Sequence, residues 1–391
     1  MLVHQKIAAR HYRKGRRLTH PDASPKPASM KVLIIGAGAA GLGIGWRLAQ
    51  RGAAVTVLER AQPGHGATWA AAGMIAPVGE GVHGAEAEFG RKSSALWPAF
   101  AAELQTLSGL DIGYRKSGAL LVAADETAAH TLGERSIEEE SLELLNAPQA
   151  LEKEPMLTPL ICGAAWAADE AQVDNRVLGE ALTRAFLRAG GKLQRNEAAV
   201  RIEADEEKVY GVRSPFAFYQ AEAYVIAAGA WSGQFEGLPS NALPPVTPVK
   251  GEMLALNAPE NARMPEHVIW GNEVYLVPRR RRLFVGATVA QAGFDTSVTD
   301  NAGEWLRSHA IALMPPLESW EIGEHWAGLR PGSPDNLPIL GPTHIPNLFA
   351  ATGQYRNGIL FAPAIADVMA QTILDGKLPA DCAAFDARRF A

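Results

Sequence analysis

Cysteine is scarce: the 391-residue chain has two, Cys162 and Cys382, far apart and in no CxxC or other ligand spacing. A disulfide framework and a zinc site are therefore poor fits, and a reducing cytoplasm is the default location. Long hydrophobic runs are missing too. The longest uncharged apolar stretch, Val32 to Gly45, is too short for a bilayer and holds five glycines, so no transmembrane helix is expected. Nor is there an excess of positive charge. A net charge of −5 gives no electrostatic reason to expect nucleic acid or an anionic membrane as partner, and a small polar substrate fits better. The ten histidines form no HxH or HExxH pattern and no GxSxG elbow occurs, which disfavours metal catalysis and serine hydrolysis and gives no metal site. No internal repeat is visible.

What is present is a hydrophobic content of 47%, enough over this length to bury a sizeable core in two or three structural units. Residues 1–29 stand apart. They hold Lys6, Arg10, Arg13, Lys14, Arg16, Arg17 and Lys26 against the single acid Asp22, with no apolar stretch behind Arg16-Arg17, so neither an ordinary secretory nor a twin-arginine signal fits. Because Met30 directly precedes a clean strand, these residues read as a disordered basic leader or as an upstream misassigned start, with a nucleic-acid or targeting arm as the alternative.

Lys31 to Ile35 is a short β-rich run, Gly36 to Gly41 a turn, Leu42 to Arg51 a helix closed by Gly52, and Ala54 to Glu59 a second strand. This is a βαβ opening. Ser93 to Ser108 and the acid-rich Asp125 to Leu145 read as helices, the latter with a solvated charged face. Asp174 to Gly190 predicts another helix, capped by Asp174 or Asn175, followed by strands through Lys192 to Ile202 and a turn at Asp205 to Lys208. Ala223 to Ala228 is a buried strand ending in Gly229, and the turn-rich Pro239 to Pro248 marks a crossing between domains. Beyond it, Met253 to Leu256, Val274 to Val277 and Leu283 to Thr288 are strand-like runs of a mainly antiparallel sheet. Trp305 to Met314 is helical, and the tail reads as strand, glycine turn and long helix over Leu348 to Thr352 and Gly358 to Leu374.

Gly36-Ala37-Gly38-Ala39-Ala40-Gly41 lies between a strand and a helix. Gly36 permits the tight turn, Gly38 lets the backbone approach a pyrophosphate, and Gly41 lets the helix pack on the sheet. Glu59 ends the second strand, eighteen positions beyond Gly41, where a carboxylate accepts from both ribose hydroxyls and repels a 2′-phosphate. Just after it, Gly64-His65-Gly66-Ala67-Thr68-Trp69-Ala70-Ala71-Ala72-Gly73-Met74 is a run of small residues with one hydroxyl, suited to close approach of backbone amides to a flat ring system and a second phosphate.

This stretch resembles the segment that covers the flavin side of FAD in glycine oxidases of thiamine biosynthesis and their relatives in the D-amino-acid oxidase superfamily. The resemblance recurs in Val249-Lys250-Gly251-Glu252, Tyr275-Leu276-Val277-Pro278-Arg279, Val285-Gly286-Ala287-Thr288, Trp326-Ala327-Gly328-Leu329-Arg330-Pro331-Gly332 and Gly353-Gln354-Tyr355-Arg356-Asn357-Gly358-Ile359-Leu360, and spans nearly everything after Met30. It implies an α/β fold in which a Rossmann-like FAD-binding domain (30–90, 160–235 and 325–391) accompanies a second, mainly antiparallel-sheet substrate domain (91–159 and 236–324). It implies FAD contacts by Ala39, Ala40, Glu59, Arg60, Ala67, Thr68, Ala72, Gly73 and Met74, a backbone contact at Ala199 or Val200, and contacts through Gln354, Tyr355, Arg356, Asn357, Gly358, Ile359 and Leu360. Gly229 joins these candidates at the end of its buried strand.

Oxidising an α-amino acid requires its Cα hydrogen to face the flavin, and a fixed guanidinium is the simplest anchor for the carboxylate. Arg330, in an apolar, turn-rich segment, matches the family's carboxylate-binding arginine; pairing with an internal acid is the structural alternative. Tyr275 matches a family tyrosine that lends its hydroxyl to the same carboxylate, the alternative being an ordinary strand tyrosine. Arg356, inside the cofactor loop, would stabilise negative charge on reduced flavin or help hold the carboxylate. Arg279-Arg280-Arg281-Arg282 reads as a solvated hairpin turn. Two positions depart from the family pattern: Trp69, where a small or hydroxylated residue is usual, and Gly271-Asn272-Glu273-Val274 before Tyr275. Both are expected to line or border the substrate side and so bear on selectivity for glycine.

The resemblance implies oxidative deamination of glycine or a similar small amino acid, with oxygen as acceptor and glyoxylate, ammonia and hydrogen peroxide as products. The rivals are a D-amino-acid or sarcosine-type dehydrogenase using a quinone, and a flavin-binding tRNA-modifying transferase or accessory module. A homo-oligomer is left open.

Overall fold

The β-rich run Lys31–Ile35 forms the first strand, with all but Lys31 buried. The structure is a computed structural model that describes residues 29–239, 242 and 246–390. The leader expectation, and residues 240, 241 and 243–245 of the expected crossing at 239–248, lie outside the described residues. The second strand, Ala54–Glu59, lies parallel to the first with Leu33 opposite Thr56. Between them the helix Ala39–Gln50 starts three residues before the expected Leu42, because the Thr68 hydroxyl, distant in sequence, accepts the Ala39 amide at 3.0 Å. A cap supplied by tertiary structure leaves no local sequence signal. Gly52, at φ +89°, makes the turn that a residue with a Cβ would strain.

These two strands sit inside a six-stranded sheet ordered Ile339–Pro342, Leu348–Thr352, Ala223–Ile226, Lys31–Ile35, Ala54–Glu59, Lys192–Arg195. All neighbours run parallel except the first pair. Near-continuous apolar strands are what a parallel sheet covered on both faces demands. On one face the helices Ala39–Gln50, Gly84–Ser108, Asn175–Arg188 and Ala362–Asp375 contribute to a core containing Trp46, Trp97, Phe186 and Phe361. On the other, Leu33, Ile35, Leu58 and Tyr224 pack on Ile202 and Val212 of a small three-stranded sheet.

A second sheet has eight strands, ordered Glu321–Gly332, Thr247–Asn257, Arg282–Gly286, Tyr275–Arg279, Val268–Trp270, Ala119–Ala123, Gly163–Ala167, Leu142–Asn146. It is antiparallel apart from Val268–Trp270 beside Ala119–Ala123. The two-residue period of a strand decides which side chains can reach the site. Leu254, Leu256, Leu276 and Leu283 point to the helix Asp300–Leu313, whereas Met253, Tyr275, Val277 and Phe284 share the opposite face with Ala70, Ala72 and Trp326. Strands Gly163–Ala167 and Glu321–Gly332 belong to this sheet, although the sequence segments 160–235 and 325–391 group Gly163–Ala167 and most of Glu321–Gly332 with the cofactor domain.

Several element expectations change. Asp125 to Leu145 is not one helix: Asp125 caps a helix Glu126–Glu138, and Leu142–Asn146 is an edge strand whose Leu142 and Leu145 are buried against Gly163–Ala167. Strand pairing there overrides an acid-rich pattern that looks helical. The helix expected from Ser93 begins at Gly84, and the one expected from Gly358 begins at Ala362. Lys192 to Ile202 splits between two sheets. Only half of the four-arginine run behaves as a solvated turn: Arg280 and Arg281 make the turn, while Arg279 and Arg282 reach the Ala72 carbonyl and Glu324.

Candidate active site

The carboxyl ends of the central parallel strands and the inner face of the large sheet enclose a cavity of about 960 Å3, at the upper end of the roughly 300–1,000 Å3 usual for ligand pockets. Carboxyl ends of parallel strands are where a doubly wound sheet places its ligand. The first-strand turn is built for close approach: Gly36 has φ +106°, and a Cβ there would collide with the Ala227 carbonyl. Gly38 is the extended N-cap of the following helix and carries no capping side chain, so that beyond the Ala39 amide, taken by Thr68, the first turn presents its positive end to an anion. Gly36, Gly38, Ala39 and Ala40 line the cavity. Gly41 does not; a Cβ on it would strike the Gly36 carbonyl, so it serves the close packing of helix on strand.

Glu59 closes the second strand with its carboxylate facing this turn, accepting from the Ala37 and Ala61 amides at 2.9 Å each. Beside it the Arg60 guanidinium stacks 3.5 Å over Trp231, which in turn stacks on Phe294. Burial lowers the Arg60 pKa and Glu59 opposes that pull. Ala199 and Gly229 line the same region. Val200 does not: it is 46% exposed, on the outer side of the chain from Ala199.

The small-residue run forms a one-turn helix, Ala67–Ala70, followed by Ala72, Gly73 and Met74 along the cavity wall. Its carbonyls are held from behind. Asn175 Nδ2 donates to the Thr68 and Trp69 carbonyls at 2.9 and 2.8 Å, Trp326 Nε1 to Ala70 at 3.0 Å, and Arg279 to Ala72 at 2.6 Å. Burial pulls the Arg279 pKa down to about 10, so it remains a cation at neutral pH. Gly73, at φ +80°, has no space for a Cβ beside Arg279 and the Val173 carbonyl. Sequence reasoning gave none of these three a supporting role, although Asn175 stands at an expected helix cap and Arg279 and Trp326 lie in segments that carry the family resemblance. Trp69 does line the cavity, its ring under the Arg176 guanidinium at 3.8 Å, and Glu324 clamps that guanidinium at 2.8 and 3.0 Å. Gly271 to Val274 do not line it; the Gly271 amide donates to the Val274 carbonyl in a turn of the hairpin.

The loop after Leu348–Thr352 supplies Gln354, Tyr355, Arg356, Asn357, Gly358 and Ile359 to the cavity. The Tyr355 amide donates to the Pro331 carbonyl at 3.0 Å and thereby joins this loop to the strand of Arg330. Gln354 is buried, and among the described residues its Nε2 has no partner, a free donor at the cavity wall. Leu360 turns away: its carbonyl accepts from Ser93 Oγ and Trp97 Nε1, at 2.7 and 3.0 Å.

Arg330 reaches the cavity from the strand Glu321–Gly332, through a gap that exists because residue 251 is glycine. Its Nη1 donates to the Thr288 and Lys250 carbonyls at 3.2 and 3.4 Å. Among the described residues no carboxylate lies within 4.0 Å of it, so it holds a full positive charge with no internal counter-ion. Tyr275 is buried on the same face. Burial pushes its phenol up, against the pull of the Arg330 and Arg356 guanidiniums, so the hydroxyl stays a neutral donor. Arg356 is paired instead: its Nε sits 2.8 Å from Glu80, a residue that sequence reasoning did not single out. Burial acts to lower the Arg356 pKa, but Glu80 together with the Tyr275 and Tyr355 phenols outweighs it and the net shift is upward.

A glycine turn at strand ends, an acid at the end of the second strand facing that turn and a second sheet roofing the cavity define a two-sheet dinucleotide-dependent oxidoreductase, and the residues present fit FAD. The chain belongs to the FAD dependent oxidoreductase family, whose model matches residues 31–372, and its cofactor is FAD. It is 37% identical over 351 residues to the bifunctional protein ThiO/ThiG of Nostoc sp., covering 88% of this chain and 53% of that protein. The chain thus spans about half the length of the bifunctional relatives it matches. It is 34% identical over 375 residues to the glycine oxidase of Geobacillus kaustophilus, covering 92% of this chain and 96% of that protein. The crystal structure of glycine oxidase from that organism superposes with a TM-score of 0.86, covering 92% of this chain and 99% of that one. Among the described residues, no helix is long and apolar enough to cross a membrane.

Proposed function

We propose that the protein catalyses the FAD-dependent oxidative deamination of glycine or a similarly small amino acid, giving the imine and then glyoxylate, ammonia and hydrogen peroxide. The observation that carries this reading is Arg330, a cavity guanidinium with no carboxylate partner among the described residues, beside the buried Tyr275 hydroxyl. A planar fork takes both oxygens of a substrate carboxylate, and the phenol donates a further hydrogen bond. Holding the carboxylate fixes where Cα sits, which is the positional requirement of the reaction. FAD, held along the cavity, would supply the two-electron oxidation at Cα. No acid–base side chain is required, since the amine reacts in its neutral form.

The cofactor contacts proposed are those of the cavity-lining residues from Gly36 to Ala40, Glu59 to Arg60, Ala67 to Met74, Ala199, Gly229 and Gln354 to Ile359. In this reading the six-stranded sheet and its helices are the FAD domain and the eight-stranded sheet the substrate domain. The resemblance to glycine oxidases of thiamine biosynthesis, and the relatives bearing that name, support a role in thiazole assembly. The free thiols Cys162 and Cys382 are compatible with a cytoplasmic location.

Anaerobic titration of the yellow holoenzyme with glycine, sarcosine and D-alanine tests the reading, followed by oxygen uptake against dye reduction. Bleaching by glycine with oxygen consumption supports an oxidase; dye reduction without oxygen uptake selects a quinone-linked dehydrogenase. Failure of every amino acid to bleach the flavin contradicts both.

A further inference from the structure

We infer that Glu80 is a specificity-determining residue: by neutralising Arg356 it leaves Arg330 as the substrate-pocket guanidinium with no carboxylate partner among the described residues, and restricts the site to amino acids with one carboxylate. The inference rests on the reading of Arg330 as carboxylate anchor and adds the class of substrate admitted.

Three groups act on the Tyr275 hydroxyl from around the pocket: the guanidiniums of Arg330 and Arg356 and the carboxylate of Glu80. Glu80 offsets one of these two guanidiniums, and one substrate carboxylate balances the other. The Glu80 side chain is 9% exposed and that of Arg356 33%, so the carboxylate of their 2.8 Å pair is sheltered while the guanidinium keeps an open edge toward the cavity. Removing the acid from such a pair leaves a partly buried cation uncompensated, and an anionic ligand is then the readiest counter-ion.

Glu80 cannot easily swing away from this position. The preceding residue, Gly79, donates its amide to the buried Glu170 carboxylate, and a Cβ on Gly79 would lie 2.7 Å from Trp270 Nε1 and 2.9 Å from Glu170 Oε1. One residue earlier, the Val78 carbonyl accepts from Arg135 at 2.8 Å. Trp270 packs edge-on against Tyr275, so the loop, Glu80 and the tyrosine are one packed unit. Arg356 is placed by its own loop, tied to the Arg330 strand through the Tyr355 amide.

The test measures binding of acetate, malonate and succinate to FAD-loaded enzyme by calorimetry, in the parent, Glu80→Gln, Glu80→Asp and Arg356→Gln. Glu80→Gln retains the volume and an acceptor oxygen but removes the charge. The ratio of dicarboxylate to acetate affinity should rise at least tenfold for malonate or succinate in Glu80→Gln and stay near the parental value in Glu80→Asp. It should fall in Arg356→Gln, which leaves Glu80 unpaired, and this variant decides the matter if Glu80→Gln does not fold. Restoring charge balance in the double variant Glu80→Gln, Arg356→Gln should bring the ratio back to the parental value. A ratio that moves less than threefold in both single variants, while acetate still binds the parent, overturns the role of Glu80 and leaves the Arg330 reading intact. If acetate fails to bind the parent, the Arg330 anchor fails and the inference falls with it.

Discussion

The indole N–H of Trp326 donates to the carbonyl of Ala70 at 3.0 Å and so ties the longest strand of the large sheet to the small-residue helix at the cofactor wall. The same indole meets the rings of Trp69 and Phe284 edge-on. Replacing Trp326 by Phe keeps most of the packing but leaves a buried carbonyl unpaired, at a cost of about 1–3 kcal/mol. The expected outcome is a lower Tm and weaker FAD retention together, read by thermal denaturation and by flavin fluorescence after dilution. A variant that keeps both at parental values would show that the two sheets are joined by other contacts.

Thr68 couples the cofactor wall to the helix Ala39–Gln50 through its hydroxyl bond to the Ala39 amide. Thr68→Val removes that cap at nearly constant volume and should cost about 1 kcal/mol of stability, while Thr68→Ser should restore most of it. Urea unfolding of the three proteins checks the order. Equal midpoints for the Val and Ser variants would exclude the cap.

Glu170 predicts a pH dependence of stability. Burial raises its pKa to about 7, against the opposing effect of amide donors at Gly79 and Val78 and of Trp270. The folded value lies above the ordinary 4.5, so the folded state holds a proton that the unfolded chain has released between those limits. The stabilisation is fully present below about pH 4.5 and is lost as pH rises through 7, by on the order of 3 kcal/mol. Glu170→Gln should abolish this loss, so the difference in unfolding free energy between variant and parent should move in the variant's favour from pH 5 to pH 8. A difference that is flat over that range contradicts it.

Much of the glycine-turn wall of the cavity, the proposed cofactor cradle, is legible in the sequence because it depends on local backbone. A strand, a glycine turn and a helix in order specify the cradle, and Glu59 follows at a fixed interval. The place of Arg330 at the cavity was legible too, from its apolar neighbours and the segment it matches. Glu80 was not, since its partner Arg356 lies 276 positions away and no periodic pattern marks a single acid in an irregular loop. The supporting roles of Asn175, Arg279 and Trp326 were hidden for the same reason: each acts on a carbonyl that only the folded chain brings near. The strand Leu142–Asn146 was obscured by the acids Glu138 to Glu140 that precede it and by Glu143 on its exposed side, where pairing with Gly163–Ala167 decides the structure.

Arg330 is the centre of the account, and the measurement that tests it most directly is kcat/KM for glycine in Arg330→Ala, with the flavin spectrum recorded on the same sample. The variant should stay yellow and fully loaded with FAD, because the arginine contacts carbonyls of the large sheet rather than the glycine turn. Its kcat/KM should fall by roughly 2–4 kcal/mol in transition-state stabilisation, with Arg330→Lys recovering only part because an ammonium lacks the planar fork. A flavin-loaded Arg330→Ala that oxidises glycine with parental efficiency would contradict the account and place the carboxylate elsewhere in the cavity.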